Sequence, residues 1–100
     1  MQQVITEFFN QVLQNDKKTM KRISDFQGEL FVDQDSANLV FSIKGLHKLL
    51  AGDDILSYIE FRNLIYQSNI NEILQTVGAK VEVHESSGKV NGSLYKLIRI

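Results

Sequence analysis

Apolar residues open the chain in pairs at helical spacing: Val4-Ile5, Phe8-Phe9 and Val12-Leu13. That spacing lays a broad apolar stripe along one helix face. Asn15-Asp16 interrupts it. Two readings stand beyond this point: the helix continues, or Asp16 caps a second short helix that turns Met20 and Ile23 inward. Lys17/Lys21 and Lys18/Arg22 are each spaced i, i+4, which places these four cations together on the outer face.

The period then changes from helical to alternating. Gln27 to Asp33 holds Leu30-Phe31-Val32, and Asn38 to Lys44 sets Leu39, Phe41 and Ile43 on one face. The polar run Gln34-Asp35-Ser36-Ala37 lies between them, so a β-hairpin is expected. Gly45 is read as the break of the second strand, with Leu46, Leu49 and Leu50 in a short helical turn closed by Gly52.

Two helix-start signals follow. Ser57-Tyr58-Ile59-Glu60 has the form of a capping box, and Asn69-Ile70-Asn71-Glu72 repeats it with Asn as the cap. Helix is expected over 58–67 and over 70–77, with Ser68-Asn69 either a turn between two helices or a kink in one. Gly78 suits the left-handed residue after the second. At the end, Val81 and Val83 point one way while Lys80, Glu82 and His84 point the other, and Leu94 to Ile100 is the returning strand. The connection from Ser86 to Ser93 holds two turn signals, Ser87-Gly88 and Asn91-Gly92. A broad loop using both sets Val81 against Ile98 and Ala79 against Ile100, apolar facing apolar.

The elements therefore read helix, β-hairpin, two helices or one kinked helix, β-hairpin. This is an α+β fold with helices packed on one face of a mainly antiparallel sheet. The chain has 100 residues, 43% of them hydrophobic and 23% charged, enough for a single domain over 1–100 with its own core. It has no cysteine, which excludes disulfides, thiolate metal sites and cysteine nucleophiles, and suits a reducing compartment. Met1-Gln2-Gln3-Val4 lacks the features of a signal peptide, and no apolar run approaches the roughly 20 residues that span a bilayer. The expectation is a soluble cytoplasmic protein without a membrane partner.

Candidate chemistry is sparse. His47 and His84 have no partner at metal-ligand spacing, and no Gly-x-Ser-x-Gly elbow or Gly-rich phosphate loop occurs. Asp53, Asp54 and Glu60, with His47, are the one group from which an enzyme reading can be built, but acids at a helix start are already accounted for by the macrodipole. No catalytic, cofactor or metal site is assigned, and no cofactor is expected. The net charge of −1 advertises no nucleic acid. The order from Ile55 onward does match the second half of a winged helix. In that reading 70–77 enters the groove, Asn71 and Gln75 face bases, Lys89 sits in the wing, and Lys17, Lys18, Lys21 and Arg22 meet phosphates. The helix offered for recognition carries no Lys or Arg, and Glu72 repels phosphate. The preferred expectation is a small non-catalytic protein-interaction or regulatory domain. It takes a protein partner or a second copy of itself, as a homodimer, through apolar surface on the first helix or through sheet edges. Nucleic-acid binding is the alternative.

Overall fold

The computed structural model describes residues 2–52, 54–67, 69–85 and 93–100. The apolar stripe at the start folds as helix α1 (Gln2–Leu13), which buries Ile5, Phe8, Phe9 and Val12. Asn15 takes a left-handed φ of 55°, a conformation asparagine tolerates better than most residues, and the helix stops there. Asp16 then caps α2 (Lys17–Asp25), its carboxylate accepting from the Thr19 N–H at 3.0 Å and the Thr19 hydroxyl at 2.8 Å. These two bonds, the hydroxyl's first, hold the Asp16 carboxyl below the usual range. Of the two readings of this junction, the capped second helix is the one that forms, with Ile23 buried and Met20 half-buried.

Strands β1 (Leu30–Val32) and β2 (Leu39–Phe41) make the first hairpin. The turn is organised by Asp33, whose carboxylate accepts from the Asp35 N–H and the Ser36 hydroxyl. The second strand is shorter than its alternation predicts. It ends at Phe41, and Ile43 opens helix α3 (Ile43–Leu50) instead of extending the strand. Ser42 is the cause: its Oγ accepts from the Gly45 N–H at 2.9 Å and caps the helix. Gly45 therefore does not break a strand. It lies inside α3 against the Glu29 backbone, where a Cβ would come within 2.4 Å of the Glu29 carbonyl oxygen.

Helix α4 (Tyr58–Gln67) has the expected bounds, and the Glu60 N–H donates to Ser57 Oγ at 3.2 Å. Helix α5 (Ile70–Gln75) is shorter than expected: residues 76–78 form a turn in which the Thr76 hydroxyl bonds back to Ile73 O. Asn69 occupies the cap position without a side-chain cap bond, and Gly78 takes the left-handed φ of 74°.

Strands β3 (Ala79–Glu85) and β4 (Leu94–Arg99) complete a four-stranded sheet in the order β1-β2-β4-β3, antiparallel throughout. The expected pairing of this last hairpin is off by one. Val81 faces Leu97 and Ala79 faces Arg99, with an irregularity between Val83 and Glu85. Leu97 and Ile98 are both apolar, so alternation cannot choose between them. Burial decides: Leu97 enters the core, Ile98 faces Lys80 on the reverse side, and Ile100 is 71% exposed. The turns expected between Ser86 and Ser93 lie, apart from Ser93 itself, outside the described residues.

One face of the sheet carries the core. Leu30, Leu39, Phe41, Leu97 and Ala79 meet the buried residues of α1, α3, α4 and α5, and the Phe9 and Phe41 rings pack at 5.5 Å between centroids. The helices cover this one face, as expected. The reverse face is more polar, with Glu82 paired to Lys80 and Lys96 at 3.3 and 3.5 Å. Arg99 ties β4 to the end of α1 by donating to the Leu13 carbonyl at 2.6 Å.

Two stability predictions follow from this packing. Deleting the last four residues removes Leu97, the partner of both Leu39 and Val81, and removes Arg99 with its bond to α1. The truncated chain is expected to lose its cooperative thermal transition, as read by circular dichroism; a melt like that of the full chain contradicts the assigned place of β4. Gly45→Ala forces a methyl group into the Glu29 carbonyl and is expected to cost about 1–3 kcal/mol in urea unfolding, the range for overpacking. An unchanged midpoint overturns that contact.

Candidate functional site

Between the α4–α5 corner and the β3–β4 hairpin the apolar layers do not close. A half-open groove of about 390 Å³ remains there, on the helix-covered side of the sheet. Buried Phe9, Phe41, Ile43 and Ile70 lie along it, with Ile65 and Tyr66 from α4 and Val81, Val83 and Tyr95 from the hairpin. Its polar groups come from Asn69, Asn71 and Glu72, while Glu82 borders it from β3 with its carboxylate turned to Lys80 and Lys96 on the reverse face. A volume of this size, apolar with a few polar groups, is in the range of ligand-binding clefts.

Helix α4 explains why the groove stays open. It carries Tyr58, Ile59, Phe61, Leu64, Ile65 and Tyr66, yet Phe61 alone is fully buried. Ile59 and Tyr66 lie seven positions apart, on one side of the helix, and are 60% and 54% exposed. Val83 on β3 is likewise 54% exposed. The expectation placed surplus apolar surface on the first helix. The structure instead covers most of α1, leaving Val4 exposed, and leaves Ile59 and Tyr66 of α4 exposed.

Two polar devices hold the groove's shape. The Tyr66 and Tyr95 hydroxyls are 2.8 Å apart and share one hydrogen bond, which joins α4 to β4. Whichever hydroxyl donates, the partner's own O–H remains for another acceptor. Burial, and after it the bond to Tyr66, pushes the Tyr95 phenol up to about 12. Asn71 provides the second device. Its side-chain amide takes both main-chain groups of Val81: Oδ1 accepts the N–H at 2.8 Å and Nδ2 donates to the carbonyl at 3.2 Å. This pair fixes α5 to the outer edge of β3.

The sequence-derived candidates do not converge. Lys17, Lys18 and Lys21 are exposed on α2, which packs beside β1 at one edge of the sheet. Arg22 is exposed on the same helix, and its guanidinium donates to the Leu49 carbonyl at 2.6 Å. Asn71 and Gln75 belong to α5, which packs on β3 at the opposite edge. Gln75 is exposed, whereas the amide of Asn71 is engaged by Val81. Lys89 lies outside the described residues.

The group His47, Asp53, Asp54 and Glu60 is likewise not assembled from what is described. Asp53 lies outside the described residues, and among those described no three His, Asp or Glu side chains gather as a metal cluster. His47 is buried, with Nε2 2.6 Å from the Leu56 carbonyl and its ring beside Tyr58 and Phe61. It holds the segment before α4 against α3. His84 is exposed on β3.

The groove residues had only a faint sequence signal. The three tyrosines are half-buried or exposed where Phe8, Phe9, Phe41 and Phe61 are buried, but the meeting of Tyr66 with Tyr95 depends on tertiary structure. Its energetics are testable. The folded-state value of Tyr95 lies above the ordinary 10.0, so its contribution is complete below about pH 10 and is lost as pH rises toward about 12. Stability of the wild type is expected to fall across that window more steeply than that of Tyr95→Phe, measured by urea unfolding at stepped pH. Parallel curves contradict the assignment.

No helix among the described residues is long and apolar enough to cross a membrane. No protein-family model, curated protein or solved structure matches this chain.

Proposed function

We propose that this chain is a small non-catalytic protein-binding domain, and that the α4 face with the adjoining groove is its docking surface. The observation that carries this reading is the incomplete burial of α4. Of its six apolar or aromatic positions Phe61 is buried and Tyr58, Leu64 and Ile65 are half-buried against the core, which leaves Ile59 and Tyr66 as apolar surface that the domain's own core does not use. The exposed Tyr66 and Val83 flank a groove, and tyrosine is enriched where proteins meet. A second copy of the chain is one partner this reading admits, giving a homodimer. The cysteine-free composition suits the cytoplasm.

Site-specific photo-crosslinking tests the reading. A benzophenone amino acid is placed at Tyr66, or as a control at Gln14, which does not line the groove. The expected result is a discrete protein adduct, or a crosslinked dimer, from position 66 and none from position 14. Equal labelling at both positions, or no adduct, overturns it. Nucleic-acid adducts from the α2 face, together with duplex or single-strand binding that weakens steeply with salt, favour the alternative of a nucleic-acid binder.

A further inference from the structure

Resting on the docking surface just described, we infer that the groove accepts its partner as an added strand: an extended, basic and apolar segment that pairs with the outer edge of β3 beyond Asn71. β3 is an edge strand. Both main-chain groups of Val81 point away from β4, because Asn71 takes them both. An amide that accepts from the N–H and donates to the carbonyl of one residue reproduces one rung of a strand ladder. Helix α5 thus supplies the first rung of a fifth strand. The two-residue repeat of a strand returns the same outward orientation at Val83. Among the described residues, no side chain does for Val83 what Asn71 does for Val81. Among the described residues the next rung is unfilled, and the groove lies beside it to take alternate side chains of an incoming strand.

Charge selects among such strands. Glu82 is satisfied by Lys80 and Lys96, and Lys80's hydrogen bond leads the effects that hold its carboxyl below the usual range. Glu72 lines the groove and has no ion pair among the described residues; exposed Glu85 ends β3. The site is therefore acidic as well as apolar. A Lys or Arg side chain lying between Glu72 and the exposed Tyr66 ring gains an ion pair and a cation–π contact. A second copy entering by its own β3 brings exposed Glu85 to this acidic site, and its Lys80 is already engaged by Glu82, so a basic strand from a different protein is the better occupant.

Selection from a displayed library of short random peptides tests the inference. Enriched sequences are expected to alternate apolar and other residues and to contain Lys or Arg. The best of them, synthesised with a fluorescent label, is expected to lose about tenfold in affinity on Glu72→Lys, since a reversed charge repels it. Val83→Pro, which removes the outward N–H at an edge position, is expected to abolish binding. Slowed exchange of the Val83 amide in the wild-type complex provides a readout that does not depend on that variant folding. Apolar residues at helical spacing, a lack of basic residues, or no protection at Val83 overturns strand addition. If such peptides still crosslink from position 66, the docking surface itself stands. If nothing is enriched, both readings fall. A doubled mass in light scattering without peptide, abolished by Val83→Pro, makes the second copy the occupant and overturns the basic partner.

Discussion

The pairing of β2 with β4 is the constraint on which this fold depends. β2 has three residues, all buried, and it is bonded on both sides. Through it Leu39 meets Leu97 and Phe41 meets Tyr95, which joins the first half of the chain to the last element of the second half. Neither hairpin is independently stable in the way a three-stranded or helix-backed sheet can be. Once β2 and β4 are joined, four strands present one apolar face, and α1 packs on it through Phe9.

The groove is a consequence of how that face is divided. α1, α3 and α5 spend most of their apolar side chains on the core, whereas α4 buries Phe61, half-buries Tyr58, Leu64 and Ile65, and leaves Ile59 and Tyr66 exposed. The polar contacts around the rim act as spacers. The paired hydroxyls of Tyr66 and Tyr95 set the distance from α4 to β4, and Asn71 sets that from α5 to β3. A cleft braced by hydrogen bonds that run from the side chains of one element to another is pre-shaped, which lowers the cost of ordering when a ligand arrives.

Much of the architecture was legible in the chain because local patterns decide it. The paired apolar residues of α1, the Asp16 cap, the bounds of α4 and the left-handed Gly78 each follow from spacing or from one side chain's chemistry. The failures come where two local signals compete or where only tertiary contacts choose. Ile43 continues the alternation of β2, but Ser42 caps a helix first. Leu97 and Ile98 are equally apolar, and only the helices above the sheet select Leu97. The site was the least legible part. The sequence offers Asn71 as a residue facing bases, yet its partner is the backbone of a strand ten positions away, and no periodicity encodes that.

The strand order has a consequence for biosynthesis. β4 is the last of these elements to be made, but it lies between β2 and β3. During translation β1, β2 and the five helices of the described residues leave the ribosome before the strand that joins the sheet's halves. Until β4 arrives, one edge of β2 has no partner and the apolar faces of Leu39 and Phe41 lack their neighbours. The nascent chain passes through a window in which an unpaired, apolar strand edge is open to other chains. The short length of β2, three residues, limits how much of that edge a wrong partner can hold.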